Sequence, residues 1–193
     1  MRYILASASP RRKELLAELI QDFEIIPSKA DESATGYTSP KNLVRYLASI
    51  KAEEVGKRSE NAGKVVIGAD TVVAFEGKVL GKPKDEEDAF RMLKMLSGKT
   101  HAVYTGVSFQ IHKGSKYYVK TKSQKTLVYF NELSEEWIRE YIASGSPMDK
   151  AGAYGIQDGG LVKKIKGSYT NVVGFPLELV KKMLKKAEKK WYD

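Results

Sequence analysis

The sequence predicts an α/β protein in which a mixed β-sheet is flanked by helices. Two observations support this fold class. Short apolar stretches rich in β-branched residues are interspersed with segments whose apolar residues recur every three or four positions. Most of the periodic segments begin at a helix-start residue, a serine or an aspartate. Because strands and helices do not alternate strictly, a mixed sheet is favoured over a regular doubly wound fold.

The N-terminal third contains two predicted strands and two predicted helices. The stretch RYILAS has the apolar character of a short buried strand, and Ser9 followed by Pro10 predicts a helix start directly after it. The stretch FEIIPS predicts a second strand. A second serine–proline pair at 39–40 predicts a helix that runs to Val55, and Lys51 lies near the apolar face of that helix.

The rest of the chain continues in the same mixed pattern. Apolar strand runs lie on both sides of GAD at 68–70, and Asp85 predicts the start of a helix that ends at Gly98. Residues 102–130 are rich in valine, threonine and aromatic residues and predict a long hairpin that turns at HKGSK. The segments that follow predict a helix from Ser134, a strand at LVKKIKG and a C-terminal helix from about Pro176.

Composition excludes several classes of protein. With 42% hydrophobic and 30% charged residues the chain is typical of globular proteins, and its apolar runs are far shorter than the roughly 20 residues that cross a bilayer. The absence of cysteine excludes disulfides, a thiolate nucleophile and a cysteine metal site, and it suits a reducing cytoplasm. We expect a cytoplasmic protein without a membrane span, organised as one domain over residues 1–193.

The net charge of +9 raises the question of a nucleic-acid partner, because clustered lysines and arginines neutralise phosphates. Much of the excess lies in the C-terminal stretch KKMLKKAEKKWYD, where the apolar residues follow helical spacing and leave the lysines on the opposite face. A solvated helix face is favoured, and a polyanion-binding surface is the alternative. Nucleic-acid binding is therefore not the favoured function.

The stretch SASPRRKELL combines hydroxyl groups with two adjacent arginines at a predicted helix start. Serine hydroxyls and free helix amides can face an anion there, and guanidinium groups can bind it bidentately, so Ser7, Arg11 and Arg12 are candidates for phosphate binding. The equally weighted alternative is that Ser9 only caps the helix and that the arginines are solvated. The stretch lacks the glycines and the lysine of a Walker loop.

An acidic residue interrupts the apolar stretch VVIGADTVV. Asp70 is expensive to bury unless it is paired or binds a metal, and Gly68 would allow another backbone to approach closely. A carboxylate in this position suits a magnesium ligand or a base that orients water. The alternative is an aspartate that forms a turn. Asp31 and Glu32 offer a second carboxylate for a cation, although an acidic surface loop is the simpler interpretation.

Other residues carry weaker indications of function. Lys82 and Lys150, together with the two arginines, could neutralise a triphosphate. The two histidines, His101 and His112, lie on a predicted loop and hairpin and are too few for a zinc site without cysteine, so structural roles are favoured. The glycine-rich KAGAYGIQDGG predicts a close backbone approach to a ligand, with Tyr154 or Gln157 reading a base, or else a tight buried turn packed by Tyr154.

Five blocks in this order, LASASPRRKELL, IGADTVV, LGKP, MLSGKTH and DKAGAYGIQ, resemble the Maf family of nucleotide pyrophosphatases over nearly the whole chain. The resemblance implies an α/β fold like that of inosine triphosphate pyrophosphatases, with an elongated mixed sheet, flanking helices and two lobes around one deep cleft. It also implies hydrolysis of nucleoside triphosphates to the monophosphate and pyrophosphate with a divalent cation, Mg²⁺ or Mn²⁺. A homodimer is suggested by the resemblance alone.

The resemblance also assigns roles to individual residues. Asp70 corresponds to the proposed general base and, with Glu32, to the cation site, while Ser7, Arg11, Arg12, Lys51 and Lys82 correspond to residues on the phosphate side. The subgroup that acts on dTTP and UTP resembles this chain at Arg11, Thr71 and Gln157, which favours pyrimidine substrates and leaves modified pyrimidine nucleotides open. Asp158 departs from the family pattern, where uncharged residues are common.

The resemblance therefore implies a hydrolase in which cations offset the triphosphate charge and Asp70 is the base for the attacking water. Asp70 could act by binding the metal that acidifies this water, by orienting the water, or by both. The competing class is a non-enzymatic regulator of cell division or a basic nucleic-acid-binding protein that uses the lysine-rich helix. The sequence lacks the interleaved aromatic and basic pattern that is typical of a single-strand binder.

Overall fold

The fold is a seven-stranded mixed sheet with helices beside it, as a computed structural model shows. The structure describes residues 2–33, 36–37 and 39–191, apart from the side chains of residue 59 and residues 188–191. The strand order is β2-β1-β3-β5-β6-β7, with β4 paired to β3. The strands are β1 Tyr3–Leu5, β2 Glu24–Ile25, β3 Val65–Phe75, β4 Lys78–Leu80, β5 Thr100–Lys113, β6 Lys116–Phe130 and β7 Val162–Lys166.

The pairing directions make the sheet mixed, as predicted. β1 pairs in parallel with β2 and with β3, whereas β4 pairs antiparallel with β3 and β7 pairs antiparallel with β6. The long predicted hairpin is present as the neighbouring strands β5 and β6, which meet at a turn around Gly114. The predicted strand FEIIPS is much shorter than expected, because only Glu24–Ile25 pairs with β1.

The helices are α1 Pro10–Ala17, α2 Pro40–Gly56, α3 Glu86–Leu96, α4 Glu135–Ala143, α5 Tyr169–Val173 and α6 Leu177–Trp191. Four of the helices, α1 to α4, begin directly after the predicted start residue. The side chains of Ser9, Asp85 and Ser134 each accept a hydrogen bond from a backbone N–H in the first turn of α1, α3 and α4, which satisfies a donor that has no partner within the helix. Within the described residues, no helix has the length and apolarity that crossing a membrane requires.

The chain divides into two compact units. The first contains Met1–Asp70, Thr105–Gln124 and Gly174–Asp193, so that it joins the N-terminal strands to the C-terminal helix. Its main core packs residues of β1, β3 and β5 against α1 and α6, and among its buried members are Leu5, Leu16, Ile67, Phe109 and Phe175. A smaller cluster of buried residues packs beside α2.

Two glycines in the first unit let α2 lie directly against the sheet. A Cβ atom added at Gly68 would lie 2.2 Å from the carbonyl oxygen of Ala48, and one added at Gly106 would lie 2.1 Å from that of Val44. Real Cβ atoms do not approach oxygen so closely, so both positions require glycine. The close backbone approach predicted for Gly68 is therefore present, and its partner is the helix that carries Lys51.

The second unit contains Thr71–Tyr104 and Lys125–Val173. Its core packs α3 and α4 against β3, β5 and β6, with Leu93, Val128 and Ile138 fully buried. Residues 146–158 form three short 3₁₀ turns, which the sequence did not predict, and α5 was also missed. Segments of three to five residues are too short to show the periodicity that identifies a helix.

A buried histidine lies in the second core. His101 was predicted in a loop, but it is the second residue of β5 and is only 2% exposed. Its Nε2 lies 2.7 Å from the hydroxyl of Tyr154, and both rings pack edge-on against Phe130. Burial lowers the pKa of His101 to about 4, so the imidazole is neutral at pH 7. The structural role expected of this histidine agrees with its position.

We predict that Gly68→Ala destabilises the protein by about 3 kcal/mol or more, because the new methyl group meets helix backbone rather than a movable side chain. Gly81→Ala is the matched control, since a Cβ at Gly81 has no neighbour within 4 Å and this residue has an ordinary φ. Urea unfolding of both variants and the wild type measures the effect. Equal unfolding midpoints for the two variants would contradict the close contact.

We also predict an acid-sensitive stability that originates at His101. Below about pH 6.5 the histidine of the unfolded chain binds a proton, whereas the native residue binds one only near its pKa of about 4. His101 therefore makes its full contribution to the free energy of unfolding above pH 6.5. This contribution falls by about 3 kcal/mol on acidification to pH 4. His101→Gln should flatten this part of the curve of unfolding free energy against pH. Parallel curves for variant and wild type would show that the prediction is wrong.

Candidate active site

The loop after β1 and the start of α1 hold the first group of predicted site residues. The buried Ser7 hydroxyl oxygen accepts hydrogen bonds from the backbone N–H of Ser9, at 3.2 Å, and from Nη1 of Arg12, at 3.3 Å. A serine oxygen accepts two hydrogen bonds and donates one. Its two acceptor positions are thus filled inside the protein, so the hydroxyl can interact with a further group only as a donor.

Arg12 is tied back into the protein rather than solvated. Its Nε donates to the carbonyl oxygen of Gly174 at 3.1 Å, and the side chain is half-buried. Burial lowers the pKa of the Arg12 guanidinium, the Asp70 carboxylate raises it, and Arg11 lowers it. The guanidinium stays charged, because arginine side chains are not deprotonated in proteins. Sequence reasoning missed Gly174, because a backbone carbonyl 162 residues away leaves no trace in a local pattern.

A lysine between two carboxylates forms the centre of the site in the first unit. Lys51 Nζ lies 2.6 Å from Oδ1 of Asp70 and 2.9 Å from Oε2 of Glu32. The side chains of Lys51 and Asp70 are only 14% and 11% exposed, whereas Glu32 is 51% exposed. Asp70 is thus not a turn residue: it is a buried member of β3 whose charge is balanced by an ammonium group.

The surrounding elements explain this placement. Asp70 follows five buried residues of β3, and Gly68 allows α2 to lie against the strand at Ala48 and Ala52. Lys51 directly precedes Ala52 on α2, so its side chain is delivered to the same part of the strand. Glu32 reaches the ammonium group from the loop before α2.

The carboxylates of Asp70 and Glu32 have the chemistry of ligands for a hard cation. Both lie within hydrogen-bond reach of one ammonium group, so the space between them is suited to one positive charge. Among the described residues there is no group of three or more His, Cys, Asp or Glu that could hold a metal. Two carboxylates without a full protein cage fit the way Mg²⁺ binds, which completes its coordination with water and substrate phosphates.

The predicted site residues fall in both units. Six of them, Ser7, Arg11, Arg12, Glu32, Lys51 and Asp70, belong to the first unit, and three, Thr71, Lys82 and Gln157, belong to the second. The structure brings five of the first six into two groups, Ser7 with Arg12 and Lys51 with Glu32 and Asp70. Arg11 precedes Arg12 in the first turn of α1.

In the second unit, three of the motif blocks pack against one another. The N–H of Gly152 donates to the carbonyl oxygen of Gly81 at 2.9 Å, which joins the loop of Lys82 to the segment that leads to Gln157. Gly152 has a φ of +70°, and a Cβ there would lie 2.8 Å from Cγ2 of Val73. The side chains of Lys82 and Gln157 are exposed. Both are therefore presented on a backbone that is fixed by packing.

Two residues from the glycine-rich segment have internal partners. Tyr154 is 5% exposed and bonds to His101, so it packs the turn and does not read a base. Lys150 Nζ donates to the carbonyl oxygen and hydroxyl of Ser146 and to Oδ1 of Asp149, at 2.9 Å for the last. These bonds engage the three donors of the ammonium group. A role for Lys150 in neutralising a triphosphate would require some of them to break.

Comparisons with known proteins show the family of this chain. A model of the family described as Maf-like protein matches residues 2–187. The dTTP/UTP pyrophosphatase of Thermococcus gammatolerans is 51% identical over 182 residues, which covers 93% of this chain and 94% of that protein. The dTTP/UTP pyrophosphatase of Clostridium novyi is 50% identical over 186 residues, which covers 95% of this chain and 96% of that protein.

A solved structure supports the fold. The Staphylococcus aureus Ham1 protein superposes with a TM-score of 0.52 at 14% sequence identity, and the match covers 96% of this chain and 99% of that protein. At this level of identity the likeness concerns the fold alone. It confirms the mixed α/β class predicted from the sequence.

We predict that Lys51→Met destabilises the protein by about 2 kcal/mol, because it leaves Asp70 buried without a counter-charge while water screens part of the Glu32 charge. Lys57→Met, on the same helix, is the control: Lys57 pairs with Glu53 at the surface, with 63% of its side chain exposed, and its loss should leave the unfolding midpoint nearly unchanged. Thermal and urea unfolding at pH 7 measure both. Equal effects of the two substitutions would contradict a buried ion pair.

Proposed function

This chain belongs to the Maf-like protein family, and we propose that it hydrolyses dTTP and UTP to the nucleoside monophosphate and pyrophosphate. The observation that carries the proposal is the cluster of Asp70, Lys51 and Glu32 in the same unit as the arginine-rich start of α1. Relatives that are named for this activity and match at about 50% identity over nearly the full chain support the choice of substrate.

The triphosphate would be held by the start of α1. The Ser7 hydroxyl donates one hydrogen bond, and Arg11 and Arg12 supply two positive charges where the helix dipole is also positive. Because Arg12 is already held by Gly174 and Ser7, little conformational entropy is lost when it binds an anion. Lys82 would add a further positive charge for the phosphates, as the resemblance to the family implies.

Asp70 would position the attacking water. Lys51 bonds to its Oδ1, so the second carboxylate oxygen is the one that accepts a hydrogen bond from water. The water oxygen attacks the α-phosphorus, the bond from that phosphorus to the bridging oxygen breaks, and pyrophosphate leaves with the electron pair. One water proton passes through Asp70 to solvent. Positioning and charge stabilisation, rather than strong basicity, are the contributions expected of an aspartate.

Asp70 and Glu32 would also hold a divalent cation, Mg²⁺ or Mn²⁺. Their two carboxylates already share one positive group, Lys51 Nζ, and their oxygen atoms are the ligands that these ions prefer. Such a cation, when bound, offsets phosphate charge and makes a coordinated water more acidic. The Lys51 ammonium, which has a flexible stem, can then move toward a phosphate oxygen.

Arg11, Thr71 and Gln157 are the residues proposed to select a pyrimidine base, on the strength of the subgroup resemblance. Gln157 is the best placed for this task, because its exposed amide offers both a donor and an acceptor to a base edge. A homodimer is a further proposal that rests on the family resemblance. A cytoplasmic location is proposed from the absence of cysteine.

A panel of nucleoside triphosphates with Mg²⁺ or Mn²⁺ tests the proposal, with pyrophosphate release as the measurement. We expect UTP and dTTP to be hydrolysed well and GTP and ATP poorly. If none of them is hydrolysed and the protein binds single-stranded RNA in a salt-dependent manner, the nucleic-acid-binding alternative replaces the enzyme.

Asp70→Asn should abolish turnover of UTP, with kcat lowered about a thousandfold, because the amide cannot accept the water proton. The fold should persist, since Lys51 keeps its contact with Glu32. Circular dichroism and a melting curve confirm the fold, and initial rates of pyrophosphate release measure the loss. Near-normal turnover by the folded variant would remove Asp70 from the mechanism.

Gln157→Ala should lower the ratio of kcat/KM for UTP to that for GTP about tenfold, because polar contacts to a base edge discriminate strongly between bases. The exposed side chain makes a loss of stability small. Competition between the two nucleotides in one reaction gives the ratio directly. A ratio unchanged from the wild type would show that Gln157 does not select the base.

A further inference from the structure

We propose that Asp158 is a positioning residue that holds Gln157 in place for base selection, through a ring of hydrogen bonds to Tyr141 and Gly155. The proposal rests on the proposed function, in which Gln157 contacts the base. Gln157 is the central residue of the 3₁₀ turn Ile156–Asp158, and its side chain is exposed. An exposed side chain can recognise a base only if the backbone beneath it is fixed.

The hydrogen-bonded ring connects the residues before and after the Ile156–Gln157 pair. The Tyr141 hydroxyl donates to Oδ2 of Asp158 and accepts a hydrogen bond from the N–H of Gly155 at 3.1 Å. The N–H of Asp158 donates to the carbonyl oxygen of Gly155 at 3.1 Å, which closes the ring. Both residues that flank the Ile156–Gln157 pair are thus attached to one hydroxyl group.

Tyr141 is a rigid anchor for this ring. It lies on α4, is 9% exposed and stacks on Trp137 with ring centroids 5.1 Å apart. Burial, and next the hydrogen bond to Asp158, raise the pKa of the Tyr141 hydroxyl, so it remains a protonated donor at physiological pH. A hydrogen bond from a neutral hydroxyl to a carboxylate is stronger than one between two neutral groups.

The carboxylate of Asp158 is also connected to a positive charge. Ser146 Oγ donates a hydrogen bond to Oδ2 of Asp158 at 2.8 Å. Ser146 Oγ also accepts a hydrogen bond from Lys150 Nζ at 3.1 Å. A chain of hydrogen bonds therefore runs from the Lys150 ammonium through Ser146 to the carboxylate. The link to Asp158 is indirect, since the direct ion pair of Lys150 is with Asp149.

The turn also closes around the carboxylate at Gly155. A Cβ at Gly155 would lie 2.8 Å from Oδ2 of Asp158 and 2.9 Å from Cε of Lys150, so a larger residue there would displace both side chains. The glycine thus leaves room for the carboxylate beside the backbone that leads to Gln157.

The test compares kcat and KM for UTP and GTP in the wild type and four variants: Asp158→Ala, Asp158→Asn, Tyr141→Phe and Gln157→Ala. We expect Asp158→Ala and Tyr141→Phe to lower the UTP to GTP ratio of kcat/KM about tenfold, through a higher KM for UTP and with kcat for UTP within about twofold of the wild type. Asp158→Asn should retain part of the ratio, because its amide oxygen still accepts from Tyr141 and Ser146.

Non-additivity distinguishes positioning from a general loss of structure. If Asp158 acts through Gln157, the double variant Asp158→Ala/Gln157→Ala has the same ratio as Gln157→Ala alone. Glu140→Ala removes an exposed carboxylate from the same helix as Tyr141 and should leave the ratio at the wild-type value. If Asp158→Ala does not fold, Asp158→Asn and Tyr141→Phe decide the question by the same ratio.

Each result leads to one conclusion. A ratio that falls in Gln157→Ala but stays at the wild-type value in Asp158→Asn and Tyr141→Phe overturns the positioning role and leaves the proposed function intact. Either of two other results also overturns it: a ratio that falls in Asp158→Ala through kcat alone, or a double variant whose ratio lies below that of Gln157→Ala by the full effect of Asp158→Ala. A wild-type protein that hydrolyses neither nucleotide overturns the proposed function together with this inference.

Discussion

The close contact of helix α2 with the sheet is the constraint on which the candidate site depends. Gly68 and Gly106 remove the side chains that would otherwise hold the helix away, so backbone meets backbone at Ala48 and Val44. A helix held at this distance delivers Lys51 to the buried Asp70. Gly68 therefore sets the distance between α2 and β3 across which Lys51 and Asp70 form their ion pair. Because this distance is short, Asp70 can be buried.

The same ion pair explains how a buried carboxylate is compatible with both stability and catalysis. Without a partner, Asp70 in β3 would cost several kcal/mol, and Lys51 removes most of that cost. Lysine suits this role because its ammonium is a point charge on a flexible stem, which can leave when another cation takes its place. Glu32, half exposed, extends the site toward solvent and, in the proposed function, would give an incoming cation a first ligand.

Local features of the fold could be predicted from the sequence, and pairings between distant segments could not. Caps at Ser9, Asp85 and Ser134 are encoded within four residues, and each is present. His101 was placed in a loop because only its polar neighbours were visible, whereas its burial comes from Tyr154, 53 positions later. The role of Lys51 came from resemblance to a family, and Glu32 was offered as a cation ligand only beside the simpler interpretation of an acidic surface loop.

The glycine-rich segment shows why a departure from a family pattern can be informative. Asp158 stands where uncharged residues are common in the family, and sequence reasoning could treat it only as a perturbation of the loop. Its partners, Tyr141 and Ser146, lie in a different helix and a different turn, so the ring they form is invisible in the sequence. Two donors from two elements therefore hold this carboxylate in its turn.

The two arginines at the start of α1 show how the site is biased toward anions. A helix N-terminus already carries partial positive charge, so arginines in the first turn repel the dipole and each other. Burial and Arg11 lower the pKa of Arg12, while Asp70 and Glu32 raise it, so the carboxylates of the same unit hold the charge in place. Ser7 and Gly174 fix its direction. An arrangement that concentrates positive charge beyond what its own carboxylates neutralise binds a polyanion more strongly than a neutral ligand, which is the property that a triphosphate site requires.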